Sequence, residues 1–164
     1  MPALSLRALA LQWLAQRDHS RSELRGKLLR RAAATQRRGD APTDDDPAAR
    51  AAEVDALLDD LQRQGWLDER RFVESRVNAR ATRFGNVRIR SELSRLGVGL
   101  DADAEAALRT SEVERARAVW ERKYRARPPA DAAERARHMR FLAGRGFSPE
   151  VIRRVVPACG ADDD

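Results

Sequence analysis

The sequence is poor in the residues on which catalysis, metal binding or membrane insertion would rest. Its one cysteine, Cys159, allows neither a disulfide framework nor a cysteine metal site. The two histidines, His19 and His138, have no ligand spacing and no nucleophile partner, so surface or capping places are expected for both. Glycines stand singly at the ends of periodic segments, without a phosphate-binding loop. The triplets Asp44-Asp45-Asp46 and Asp162-Asp163-Asp164 lack the turn glycine and spaced oxygens of a calcium loop. No apolar run approaches a membrane span, and the N-terminus shows no signal-peptide core. A cytoplasmic, non-catalytic protein with no metal and no cofactor is expected. Nor does any stretch sustain the two-residue alternation of a strand. With three Trp, one Tyr and four Phe, the core must be mostly aliphatic.

Lysine is also scarce. Of 32 basic residues only Lys27 and Lys123 are lysine, leaving thirty arginines and a formal net charge of +6. Arginine suits phosphate and carboxylate forks, although a GC-rich coding bias would give the same excess. The charge is blocked along the chain. Residues 1–38 carry net +7, 39–69 net −8, 70–100 net +6, 101–114 net −4, 115–156 net +8, and the last eight residues −3. Such alternation fits two kinds of partner, or neighbours that neutralise one another within the fold.

What the chain does have is helix punctuation. Val54, Leu57, Leu58 and Leu61 fall on one helix face, Gly65 can close that helix, and Asp68 can cap the next. The pattern Leu, three residues, Gly, apolar recurs as Leu93-x3-Gly97-Val98 and Leu142-x3-Gly146-Phe147, followed by the helix openers Asp101 and Ser148-Pro149. Trp66 and Phe147 are expected to pack at these corners, with Phe72 inward on the following helix. Trp13 and Trp120 lie on apolar stripes, so core packing is expected there too.

Periodicity predicts about nine short helices. They run from about Leu6 to Gln16, from Ser20 or Ser22 to Arg31, and over 48–64, 69–83, 87–96, 101–109, 111–125, 130–143 and 149–156. Arg21-Ser22-Glu23-Leu24 returns as Arg90-Ser91-Glu92-Leu93. The nine fall into three groups of three: residues 1–67, with a mobile acidic insert at about 33–49, then 68–110 and 111–157, before an acidic tail at 158–164. A three-helix unit buries little alone, so an all-α, elongated array of three tandem three-helix repeats is expected.

The strongest candidate for function is basic. Arg76, Arg80 and Arg83 stand at i, i+4, i+7, an arginine stripe along the fourth helix, and Arg88, Arg90 and Arg95 follow on the fifth. Arg25 and Lys27 add charge on the second. Such faces can neutralise phosphates without reading sequence.

Taken in series, the motifs resemble the RecX regulatory protein family. The likeness rests on Ala10-x2-Trp13-Leu14-x2-Arg17-x2-Ser20-x2-Glu23-Leu24, on Leu61-x3-Gly65-Trp66-Leu67-Asp68-Glu69-x2-Phe72, on Ile89-Arg90-Ser91-Glu92-Leu93-x3-Gly97, and on Leu142-x2-Arg145-Gly146-Phe147-Ser148-x2-Val151-Ile152. It covers about four fifths of the chain. The resemblance implies three tandem three-helix repeats and no catalysis. It also implies binding in the groove of a RecA–DNA filament, with inhibition of RecA ATPase, filament growth and strand exchange, and so modulation of recombination and the SOS response. The expected partners are RecA and single- or double-stranded DNA without sequence preference, met by a monomer. Two other readings remain open. A helix-turn-helix transcription regulator would read the major groove, but its helix openings here are mostly acidic. A scaffold that binds only protein would leave the arginines as solvent cover.

Overall fold

Helical periodicity prevails throughout. The computed structural model, which describes residues 4–37 and 46–159, holds eight α-helices and no strand among those residues. They are α1 (Leu6–Gln16), α2 (Arg21–Arg37), α3 (Pro47–Arg63), α4 (Glu69–Ala81), α5 (Asn86–Arg95), α6 (Ala102–Tyr124), α7 (Ala132–Gly144) and α8 (Pro149–Val155). The chain divides into two compact units. One comprises the residues up to Ser75 with Leu96–Val98; the other comprises Arg76–Arg95 and the chain from Gly99 onward.

In the first unit α1, α2 and α3 enclose an aliphatic core of Ala10, Leu24, Leu28, Val54, Leu58, Leu61 and Leu67. Ser20 caps α2, its Oγ accepting from the Glu23 amide at 3.1 Å and donating to the Leu96 carbonyl at 2.9 Å. Helix α2 continues six residues past Arg31, to Arg37, so the described part of the expected insert is helical at its start. The insert's end is helical too, since α3 begins at Pro47, while residues 38–45 and the Asp162–Asp164 tail lie outside the described residues.

Gly65, Gly97 and Gly146 adopt φ of 75°, 73° and 83°, the left-handed turn that the repeated motif predicts. At two corners the backbone is alike: Trp66 N–H donates to Leu61 and Phe147 N–H to Leu142. The side chains differ. Phe147 is buried, but Trp66 is 53% exposed and does not pack at its corner. The reason is the spacing to the next cap. Ser148 caps α8 immediately after Phe147, so Phe147 is the residue before the cap. Asp68 accepts from the Arg71 amide at 3.0 Å, and the residue before it is Leu67. The residue preceding an N-cap is the one that folds against the first turns of the helix it opens. Leu67 and Phe72 are accordingly buried, as are Phe147 and Ile152.

The sixth and seventh expected helices are one helix, α6. Ser111 was expected to open a new helix, yet Thr110 and Ser111 hydroxyls donate back to the Ala106 and Ala107 carbonyls at 2.9 Å. Without a glycine or proline beforehand, such residues continue a helix by bonding to its own turn. The second unit's core gathers around α6, α7 and α8, with Ala116, Val119, Trp120, Leu142, Phe147, Val151, Ile152, Val155 and Val156. His138 lies inside it rather than at the surface. Its Nδ1 accepts from Trp120 Nε1 at 3.2 Å and its ring stacks on Tyr124 at 3.5 Å. His19 is buried too, in the first unit, 3.1 Å from Glu23. In a chain so poor in aromatics, an imidazole serves as a flat interior group.

Candidate nucleic-acid interface

The expected arginine stripe does not survive folding as a row of free charges. Helix α4 ends at Ala81, which leaves Arg83 in the closing turn. Arg76 is half-buried, with its Nε lacking a partner. Arg80 Nε donates to Glu92 at 2.8 Å, and Arg88 Nε reaches the other oxygen of the same carboxylate at 3.5 Å. Arg90 is bound to Glu105, and that guanidinium holds the Glu105 carboxyl below the usual carboxylate range. In the first unit Arg25 forks onto Asp55 at 2.6 and 2.9 Å and holds its carboxyl low, while Arg21 pairs with Asp59 at 2.7 Å. Lys27 sits over the Trp13 ring, 4.4 Å from its centroid. Two arginines of the basic block of α2 are therefore paired with the acidic block of α3. Of the eight expected binding residues, Arg83 and Arg95 make no ion pair, side-chain hydrogen bond, ring contact or burial of the kinds just named with the described residues.

The structure gathers a different set. Arg83, Arg122, Lys123 and Arg145 line one cleft of about 270 Å³ with Val119 and Phe141, and no acidic side chain among the described residues lines it. Two half-buried rings seat the cations. Arg145 lies 5.7 Å from the Phe84 centroid and 5.2 Å from that of Phe141. Arg80 and Arg88 also stand over Phe84, at 5.3 and 4.3 Å, and Lys123 stands 5.9 Å from Phe141. Cations over ring faces gain about 0.5–1 kcal/mol at exposed sites and are fixed in position.

These cations come from the end of α6, the turn after α4 and the α7–α8 corner, and three devices hold those segments together. Gly85 N–H donates to the Arg145 carbonyl at 2.9 Å, and Val87 N–H to Gly146 at 3.1 Å. Between them, Asn86 N–H donates to the buried Glu112 at 3.0 Å. The amides of Gly85, Asn86 and Val87 at the start of α5 thus find acceptors outside the helix. From below, Arg115 donates to the carbonyls of Ala81, Phe84 and Leu108 at 3.2, 2.9 and 3.0 Å and to the Asn86 side chain. Burial pushes the Arg115 guanidinium down from its usual pKa, with Glu112 opposing.

Sequence reasoning passed over Arg122, Lys123, Arg145 and the Asn86–Glu112–Arg115 knot. A signal was available for the first two, because Arg122 and Lys123 close a long helix where cations suit the dipole. Arg145, between Gly144 and Gly146, carried none.

Known proteins share this architecture and sequence. The family model for the third three-helix domain of RecX matches residues 110–156. A regulatory protein RecX from Leptothrix cholodnii is 48% identical over 165 residues, spanning 99% of this chain and 94% of that protein. The chain belongs to the RecX regulatory protein family. Another RecX, from Ralstonia nicotianae, is 46% identical, over 97% of this chain and 89% of its own length. The crystal structure of RecX from Lactobacillus salivarius superposes with a TM-score of 0.63 at 20% identity, covering 92% of this chain and 91% of that one, which bears on the fold alone. Among the described residues of this RecX family member, no helix is long and apolar enough to cross a membrane.

Proposed function

We propose that this protein is a non-catalytic regulator of the RecA recombinase. It binds the RecA–DNA filament and inhibits RecA ATPase, filament growth and strand exchange, thereby modulating recombination and the SOS response. It acts in the cytoplasm as a monomer without cofactors, and it meets DNA without sequence preference. The observation that carries this reading is near-full-length similarity to proteins named regulatory protein RecX. The unpaired cations of the second unit support the DNA contact, since several such charges can displace counterions from a phosphate backbone.

The helix-turn-helix reading is less well supported. A recognition helix offers its first turn to base edges. Here the openings of α4, α6 and α8 carry Asp68, Asp101 and Ser148, whose side chains accept from their own helices' amides.

The test is a titration of ATP hydrolysis on RecA filaments formed on single-stranded DNA, repeated with excess free DNA. Filament regulation predicts inhibition well below one copy per RecA subunit that spare DNA does not abolish. Inhibition only at stoichiometric protein, relieved by spare DNA, would mean competition for the strand. No inhibition would overturn the reading.

A further inference from the structure

Several arginines of this chain are taken up by carboxylates, as Arg25 by Asp55, Arg80 by Glu92 and Arg90 by Glu105. The cleft of Arg83, Arg122, Lys123 and Arg145 is built the other way, with cations gathered and no acidic lining residue among the described residues. Like charges converging on a concave surface repel one another and draw anions from solution. The anion that suits several separated guanidinium forks and one ammonium is a chain of phosphates, since each fork can hold one phosphate by two parallel hydrogen bonds.

The rings decide what else is held. A base that stacks on protein needs an open aromatic face. Phe84 already has three guanidinium groups over it. Phe141 carries Lys123 and Arg145 and meets Tyr124 edge-on, with centroids 5.7 Å apart. Both rings therefore position cations and leave no platform for a nucleobase.

We propose that this cleft holds the sugar–phosphate backbone of a nucleic-acid strand through Arg83, Arg122, Lys123 and Arg145 and takes no base. The inference rests on the DNA-contact part of the function above and assigns that contact to a place and a chemistry. It predicts indifference to base identity, including to the absence of bases.

The experiment is fluorescence anisotropy on the full chain over a range of potassium chloride. The probes are a labelled thymidine oligonucleotide and an abasic strand of the same length. The parent protein is expected to bind both with Kd values within about threefold, because counterion release depends on phosphates alone. The variant carrying Arg122→Ala, Lys123→Ala and Arg145→Gln should bind both at least about tenfold more weakly. Its slope of log Kd against log salt should fall by about two, at about 0.7 per phosphate on a single strand. Arg25→Ala, which removes a cation already paired with Asp55, should change that slope little. Circular dichroism and thermal melting establish that the triple variant is folded. If it is not, Arg122→Ala and Lys123→Ala, both at exposed positions on α6, are measured singly, each with about 0.7 less slope expected. Retained binding to thymidine with loss of the abasic strand would overturn the backbone site and leave DNA contact standing. Parent-like binding by folded variants would place the contact elsewhere and overturn the proposal. Failure of the parent to bind either strand would overturn both the proposal and the DNA-contact reading.

Discussion

Arg80 and Glu92 are joined across the α4–α5 turn, Nε to carboxylate at 2.8 Å, and Glu92 also faces Arg88 at 3.5 Å. One carboxylate thus restrains two guanidinium groups whose helices would otherwise present them to solvent. Replacing it with the neutral isostere, Glu92→Gln, should release both. Binding to single-stranded DNA is expected to tighten, and its salt slope to steepen by up to about 1.4 if both arginines reach phosphates. Anisotropy titrations at several salt concentrations check this. An unchanged slope would mean that neither arginine reaches the strand.

The exposed Trp66 and its buried neighbour Leu67 give a paired stability prediction. Trp66→Ala should cost less than about 1 kcal/mol, since surface changes away from packed features are small. Leu67→Ala should cost about 2–5 kcal/mol through lost burial and the cavity left behind. Urea denaturation of the two variants separates them, and a larger loss at Trp66 would reverse the assignment of the corner.

Glycines with the same φ should differ in what they tolerate. A Cβ at Gly65 meets nothing within 4 Å, so Gly65→Ala should cost about 1–2 kcal/mol for the left-handed backbone alone. A Cβ at Gly146 would lie 2.4 Å from the Arg88 Cβ, and one at Gly85 would lie 2.3 Å from the Gly146 carbonyl oxygen. Gly146→Ala should therefore add an overpacking cost of about 1–3 kcal/mol to the backbone cost. Because α5 hangs on this corner, Gly146→Ala should also weaken strand binding, whereas Gly65→Ala should not.

How much of this was legible in the sequence depended on range. Helix corners are local devices: Gly65, Asp68, Gly97, Asp101, Gly146 and Ser148 act on amides within a few residues, so spacing alone located them. The all-helical class followed from the same periodicity. Charge was not legible, because whether an arginine is free depends on its partner's place in the fold. Asp55 lies thirty residues from Arg25, and Glu92 twelve from Arg80. The four cations of the cleft come from residues 83, 122, 123 and 145, which no window along the chain unites. The boundary at Ser111 failed for a different reason. A serine hydroxyl can cap a new helix or bond back to the old one, and composition does not distinguish the two.

Acid should reveal the buried histidines. Burial pushes both His19 and His138 below the usual imidazole pKa, with Glu23 and Glu134 opposing. Each folded-state pKa is lowered, so the unfolded chain takes up protons first. Stability is full above about pH 6.5, the unfolded value, and falls as pH drops from there through the folded pKa values. Substituting His138→Asn keeps an acceptor near Trp120 Nε1 and removes the titration. The variant should lose less stability than the parent between pH 7 and pH 5, as measured by denaturant midpoints at each pH. Equal losses would mean that His138 protonates freely in the folded protein.

The Arg115 knot should be costly to untie. Arg115→Ala strands the Ala81 and Phe84 carbonyls and Asn86 Oδ1 without their donor, while the Leu108 carbonyl keeps Asn86 Nδ2. A loss of about 2–4 kcal/mol is expected from unsatisfied, partly buried acceptors. Amide exchange offers a finer check, because protection at Gly85, Asn86 and Val87 should fall more than at α8.

Helix α6 runs unbroken from Ala102 to Tyr124, straight through residue 110, where the match to the third RecX domain begins. A domain would ordinarily begin at a loop, where a protease or a gene splice finds access, but here the match begins inside a rod about 34 Å long. A nick there would sever Leu108 from Arg115, which donates to its carbonyl. Chimaeras with relatives should therefore be joined before Asp101 or after Tyr124, so that α6 travels whole.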